Sequence, residues 1–239
     1  MDRKLSLIKS EEKVHEKRVF PRFPIGQMIF KDKKNGITFE VKDISLSGVQ
    51  LELKDGEAPY QVQNKVQGTL HWRADDIELS GLVQWINENR YGLRFEENSR
   101  ELDELKNFLS LDNIVSHIRP IHENPLDIEL PNNLKYWLKA DGVLEIFVWE
   151  LPLSGISRFQ ILFMENYLEW TEGEGVRTGR VLTQRNLETP LTLEDEVVFE
   201  ADESVSSEKL HLGKRILGAV NPMHIHHADR DFLLYKLKI

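Results

Sequence analysis

Between residues 23 and 95 the chain alternates apolar and polar residues in short runs, at 28–30, 37–41, 49–53, 66–72, 77–86 and 91–95. Val49-Gln-Leu-Glu-Leu53 puts every second side chain on one face, the period of a half-buried antiparallel strand. Asn35-Gly36, Asp55-Gly56 and the segment 87–90 supply the residues that tight turns need. Six such runs in so short a span predict a small antiparallel barrel or sandwich.

The period then changes. Asn98-Ser-Arg-Glu101 reads as a helix start, with Asn98 as cap and Glu101 reaching back. Leu102, Leu105, Phe108 and Leu109 follow at helical spacing, so one helix is expected over about 99–110, plugging or flanking the barrel. Residues 111–130 hold Pro120 and Pro125 and no clear period, which reads as a linker. From Leu134 the β pattern returns, with strands expected at 143–149, 159–164, 167–170, 179–183, 197–200, 215–220 and 232–239. Residues 201–209, rich in Glu and Ser, read as a loop or a short helix. The fold class expected is mainly β, with two antiparallel β-barrel domains, the first followed by one α-helix.

Composition narrows the classes. The 239 residues suffice for two small domains, and the 40% hydrophobic content suffices for a core. No apolar run reaches the ~18 residues of a membrane span, and the polar start, residues 1–10, lacks the apolar stretch of a secretory signal. The chain has no cysteine, which excludes disulfide scaffolds, thiol nucleophiles and cysteine metal sites, and fits a reducing cytoplasm. The net charge of −9 argues against general nucleic-acid binding. That charge is uneven: residues 1–34 carry ten Lys or Arg against five Asp or Glu, whereas residues 35–125 carry nine against sixteen and residues 126–239 twelve against nineteen. A basic N-terminal arm, residues 1–17, thus precedes an acidic body. It reads either as a solvated tail or as an arm that holds a small anion.

Two motifs stand about 20 residues apart. Arg18-Val-Phe-Pro-Arg22 is an RxxxR leading into the first strands, and Asp43-Ile-Ser-Leu-Ser-Gly48 is a DxSxxG between two of them. Two guanidinium forks can grip phosphate oxygens or guanine O6 and N7, and can stack on bases. Asp43 can accept from guanine N1–H and N2–H₂, Ser45 offers a small hydroxyl, and Gly48 admits a close backbone approach. With these motifs, residues 16–110 resemble the PilZ domain, the bacterial receptor module for cyclic di-GMP. Gly81-Leu-Val-Gln-Trp85 and Tyr91-Gly-Leu-Arg-Phe95 look like its closing strands.

The resemblance implies a PilZ domain over 18–112, a linker over 113–130 and a C-terminal β domain over 131–239. It implies ligand contacts from Arg18, Arg22, Asp43, Ser45 and Gly48, with Lys17 influencing whether one nucleotide or a stacked pair is held. Trp85 reads either as core or as a platform for a guanine.

The second half carries partial echoes of the first. Leu70-His-Trp72 and Gly81-Leu-Val83 match Leu168-Glu-Trp170 and Gly179-Arg-Val181 at one offset, and Asp43 to Val49 matches Glu150 to Ile156 at another. Asn35-Gly36 has a counterpart in Asp141-Gly142. These echoes suggest a degenerate repeat of the barrel, the alternative being an unrelated β domain. Pro152 stands where Ser45 stood, so ligand chemistry is not expected there. His224, His226, His227 and Asp229 can be read as metal ligands or as a surface turn, and the turn is the reading adopted.

No nucleophile elbow, P-loop or dinucleotide fingerprint occurs. The expectation is therefore a non-enzymatic, cytoplasmic cyclic di-GMP receptor with no further cofactor, no metal and a protein partner reached through its C-terminal domain. Ligand would clamp the basic arm on the barrel and change contacts between domains or with that partner. The alternatives are a ligand-independent docking adaptor and an enzyme with its site in residues 126–239.

Overall fold

A computed structural model of the protein describes residues 23, 25–54, 56, 59–96, 99–122, 130–182 and 199–238. Expectations for residues 1–22, including Lys17, Arg18 and Arg22, and for Asn98, lie outside the described residues.

Six strands form a closed antiparallel barrel: β1 (Ile29–Asp32), β2 (Thr38–Ser45), β3 (Gly48–Glu52), β4 (Lys65–Trp72), β5 (Asp75–Asn87) and β6 (Arg90–Phe95). Their order around the barrel is β1-β2-β3-β6-β5-β4, and pairing of β1 with β4 removes the free edges. All six apolar runs fall in or across these strands. Phe30, Phe39, Leu51, Leu70 and Val83 fill the interior, where the Phe39 ring packs edge-on to Tyr91 at 5.6 Å.

Two bulges break the alternation, one between Val41 and Asp43 on β2 and one between Val83 and Trp85 on β5. Each inserts one residue and so re-aims the side chains beyond it.

Helix α1 (Ser99–Phe108) follows, as the 3.6-residue period requires, with Leu105 and Phe108 buried. Glu101 accepts hydrogen bonds from the Ser80 N–H at 3.1 Å and the Ser80 hydroxyl at 2.9 Å, which ties the first turn of α1 to β5.

The stretch expected as a linker is built into the core where it is described. Helix α2 (Leu111–Ser116) is capped by Ser110 and buries Ile114 and Val115, and strand β7 (Arg119–Pro120) joins the second sheet. Six residues are too few to show a helical period, which is why the sequence hid α2.

The second sheet has seven strands in sequential order: β7, β8 (Leu134–Ala140), β9 (Leu144–Leu151), β10 (Gly155–Phe163), β11 (Asn166–Thr171), β12 (Gly175–Val181) and β13 (Phe199–Ala201). It is an open meander, which corrects the expectation of a second barrel. The echoed hairpins do occupy comparable turns, but in the barrel β3 pairs with β6, whereas here each strand pairs with the next. The short matches came from shared hairpin chemistry rather than from shared topology.

Two expected strands are helices. Helix α3 (Ser207–Ala219) contains 215–219, and α4 (His227–Lys236) contains 232–236. In α3, Leu210, Gly213 and Leu217 are buried at helical spacing, while the adjacent pair Ile216-Leu217 mimics a short strand. Gly213 has a packing reason: a Cβ there would stand 2.8 Å from Leu168 Cδ1. Among the described residues no helix is long and apolar enough to cross a membrane.

The two halves share one continuous apolar core. Trp72 at the end of β4 stacks on His117 at 4.3 Å and meets Phe108 of α1 at 5.9 Å. Asp141, in the β8–β9 turn, is buried and pairs with Arg73 of the β4–β5 turn and with Arg119 at 3.0 Å. The Asp141 carbonyl accepts from the Gly26 N–H at 3.1 Å. The entry to the barrel and the second sheet therefore meet at one acidic residue.

Candidate functional site

The β2–β3 hairpin carries the DxSxxG motif. Ser45 pairs with Gly48 across a two-residue turn. The Ser45 hydroxyl lies 3.3 Å from the Gly48 carbonyl and accepts from the Ser47 N–H at 3.3 Å. Ser45 is buried, so its hydroxyl shapes the turn from within. Gly48 serves close approach: a Cβ there would fall 2.3 Å from the Leu93 carbonyl oxygen on β6. The Gly48→Ala change is therefore expected to cost on the order of 1–3 kcal/mol through overpacking, read as a lowered melting temperature. An unchanged melting temperature would show that β3 can shift away from β6 freely.

Register brings further residues to the same wall. Asp43 of β2 stands opposite Gln50 of β3, Gln50 opposite Gly92 of β6, and Gly92 opposite Trp85 of β5. Directly opposed residues share a face, so these four form one row on the outside of the barrel. Three strand spacings of about 4.8 Å make the row about 14 Å long. The next row toward the hairpin turn is Ser45, Gly48, Arg94 and Leu82.

Trp85 is not core. It is 40% exposed. Its indole lies across Gly92, where a Cβ would come within 2.1 Å of the indole Nε1. A flat aromatic thus rests against the strand wall beside the motif.

On the other side the wall is ionic. Lys42, in the β2 bulge, reaches Glu52 at 2.7 Å and Glu40 at 3.2 Å. Lys54 also pairs with Glu40, and Arg90 reaches Glu52 at 2.8 Å. Hydrogen bonds from Lys42 and then Arg90 hold the Glu52 carboxyl below the usual range against the opposing effect of burial, and Lys54 acts likewise on Glu40. The Glu52 contact in turn raises Lys42. These charges neutralise one another and border the row.

Phe23, the residue after Arg22, bridges Ile44 with N–O distances of 2.7 and 3.1 Å in the two directions. Ile44 lies between Asp43 and Ser45, so Phe23, which follows the RxxxR motif in the sequence, is held at the corner of the hairpin that carries the DxSxxG motif.

Two members of the histidine cluster have protein partners. Asp229 accepts from the Tyr136 hydroxyl at 2.7 Å and pairs with Lys135 at 3.0 Å, and His227 faces Asp231 at 3.0 Å. Among the described residues no group of three potential ligands gathers for a metal.

Sequence reasoning missed Gln50, Gly92 and Arg94 as wall residues. The alternation of 49–53 set Gln50 on the face opposite Val49 and Leu51, but only register aligns it with Gly92 and places Arg94 in the next row.

The solved structures to which the chain shows likeness include the following two. One is the PilZ domain of YcgR from Escherichia coli with cyclic di-GMP, 14% identical, covering 39% of this chain and 89% of that one, with a TM-score of 0.34. Another is an uncharacterised Legionella protein, 20% identical, covering 37% of this chain and 88% of that one, with a TM-score of 0.30. Among curated proteins none matches the sequence. The family comparison matches residues 16–111, which hold the RxxxR motif, the DxSxxG hairpin, the six strands and α1, and this part of the chain is a PilZ domain.

Proposed function

We propose that the protein is a cyclic di-GMP receptor, a binding module rather than an enzyme, whose ligand lies on the outer barrel wall. The observation that carries this reading is the row from Asp43 to Trp85, with Phe23 bridged to Ile44 beside it. The row offers what the ligand needs. A carboxylate stands at one end for the guanine N1–H and N2–H₂ donors, and an exposed indole stands at the other for stacking. Arg18 and Arg22 supply guanidinium forks for the phosphates and for a second guanine edge. Lys17 adds positive charge, Gly48 keeps the backbone low under the ligand, and Ser45 holds the hairpin in shape. No cofactor or metal enters this scheme.

The response follows from chain length. Three residues separate Arg22 from Gly26, whose N–H meets the Asp141 carbonyl of the second sheet. Fixing Arg22 on a ligand would constrain that short segment and bias the junction formed by Asp141, Arg73 and Arg119. The second domain is the side that would read this out to a protein partner.

Titration calorimetry with cyclic di-GMP on the full chain tests the reading. Saturable binding is expected, and its absence would favour a ligand-independent docking role. The Asp141→Asn variant tests the response: affinity should stay within a few-fold, while ligand-induced slowing of amide exchange in β8 and β9 should disappear. Retention of that slowing would move the coupling elsewhere.

A further inference from the structure

We propose that Arg94 is a third ligand arginine, which reads the Hoogsteen edge of the guanine stacked on Trp85. This assignment rests on the receptor reading above and deepens it. Arg94 lies outside both motifs, on β6, in the row of Ser45 and Gly48. Its neighbours on β6 alternate: Tyr91 and Leu93 are buried inside the barrel, whereas Arg94 is exposed on the outer wall. Most of the cations around it are committed, Lys42 and Arg90 to Glu52 and Lys65 to Glu96 at 2.6 Å. Among the described residues the Arg94 guanidinium has no ion-pair or hydrogen-bond partner.

The local relief favours a base beside it. On the β3 side Arg94 faces Gly48, which has no side chain to block it. Two residues back on its own strand lies Gly92, under the Trp85 indole. Two residues along a strand span about 6.6 Å, within reach of an arginine side chain. A purine resting on the outer face of that indole would therefore present an edge to the Arg94 fork, and guanine O6 and N7 are the acceptors that a fork matches in a bidentate manner. A phosphate could also be reached, so the test must separate base from phosphate.

The experiment is a two-by-two calorimetric cycle on the full chain. Wild type and Arg94→Gln are each titrated with cyclic di-GMP and with its 7-deazaguanine analogue, which keeps both phosphates and O6 but lacks N7. Arg94→Gln is expected to weaken cyclic di-GMP at least tenfold with an unchanged melting temperature. The analogue should bind wild type more weakly than cyclic di-GMP does, and Arg94→Gln should be nearly indifferent to the change, because the two losses share one contact. Arg94→Lys should recover little, since an ammonium cannot make the bidentate pair. Wild-type affinity in Arg94→Gln would overturn the assignment. Independent, multiplying losses would also overturn it, by placing Arg94 on phosphate. Failure of wild type to bind cyclic di-GMP at all would instead sink the receptor reading, and this assignment with it.

Discussion

Replacing Arg18 and Arg22 together by alanine is expected to weaken cyclic di-GMP binding by a factor of 100 or more. A charge-assisted hydrogen bond is worth about 1.5–3 kcal/mol when its partner is removed, and two such losses together exceed about 3 kcal/mol, which is more than 100-fold. The single Arg22→Ala change should cost at least about tenfold. Calorimetry on the full chain measures both, with the melting temperature as control. Undiminished affinity in the double variant would remove the arginine motif from the site. A large loss accompanied by a collapse of the melting temperature would show that the arginines support the fold instead.

Trp72→Ala should give the largest loss of stability. Trp72 is fully buried, and its ring holds three parts together: the barrel, α1 through Phe108, and the turn after α2 through His117. Truncating a buried tryptophan costs about 3–5 kcal/mol, which lowers the melting temperature of a chain of this size by about 10 °C. Its indole Nε1 is buried without a hydrogen-bond partner among the described residues. Trp72→Phe removes that polar atom and keeps most of the ring, so it should lose much less. Equal losses for the two variants would refute the packing account. Because Trp72 also sits beside the Asp141 junction through the adjacent Arg73, Trp72→Ala should loosen the joint as it destabilises the fold.

The barrel was legible because its strands obey a period of two, with turn residues where the chain reverses. The hairpin that carries Asp43, Ser45 and Gly48 was legible because its turn chemistry is local. Gln50, Gly92 and Arg94 were not, because the alignment of four strands passes through two bulges, and each bulge shifts register by an amount the sequence does not mark. Trp85 shows the same limit: its run leaves core and outward platform both open until the bulge between Val83 and Trp85 turns the indole outward. In the second half, the pair Ile216-Leu217 was read with the wrong period, and the echoed Leu-x-Trp segments reported a hairpin without reporting which strand comes next. The open meander reflects pairing between consecutive strands, which a short local match cannot distinguish from the crossed order of the barrel.

The ends of that meander have a consequence for how the protein meets its own copies. An open sheet normally offers two edges on which another chain can polymerise. Among the described residues the edge strands are β7, two residues long and containing Pro120, and β13, three residues long. Proline lacks the N–H that a docking strand would need, and so few residues make a poor template for added strands. At these two strands the ladder is hard to extend, so a partner that approached there would meet faces and turns rather than a row of free N–H and C=O groups.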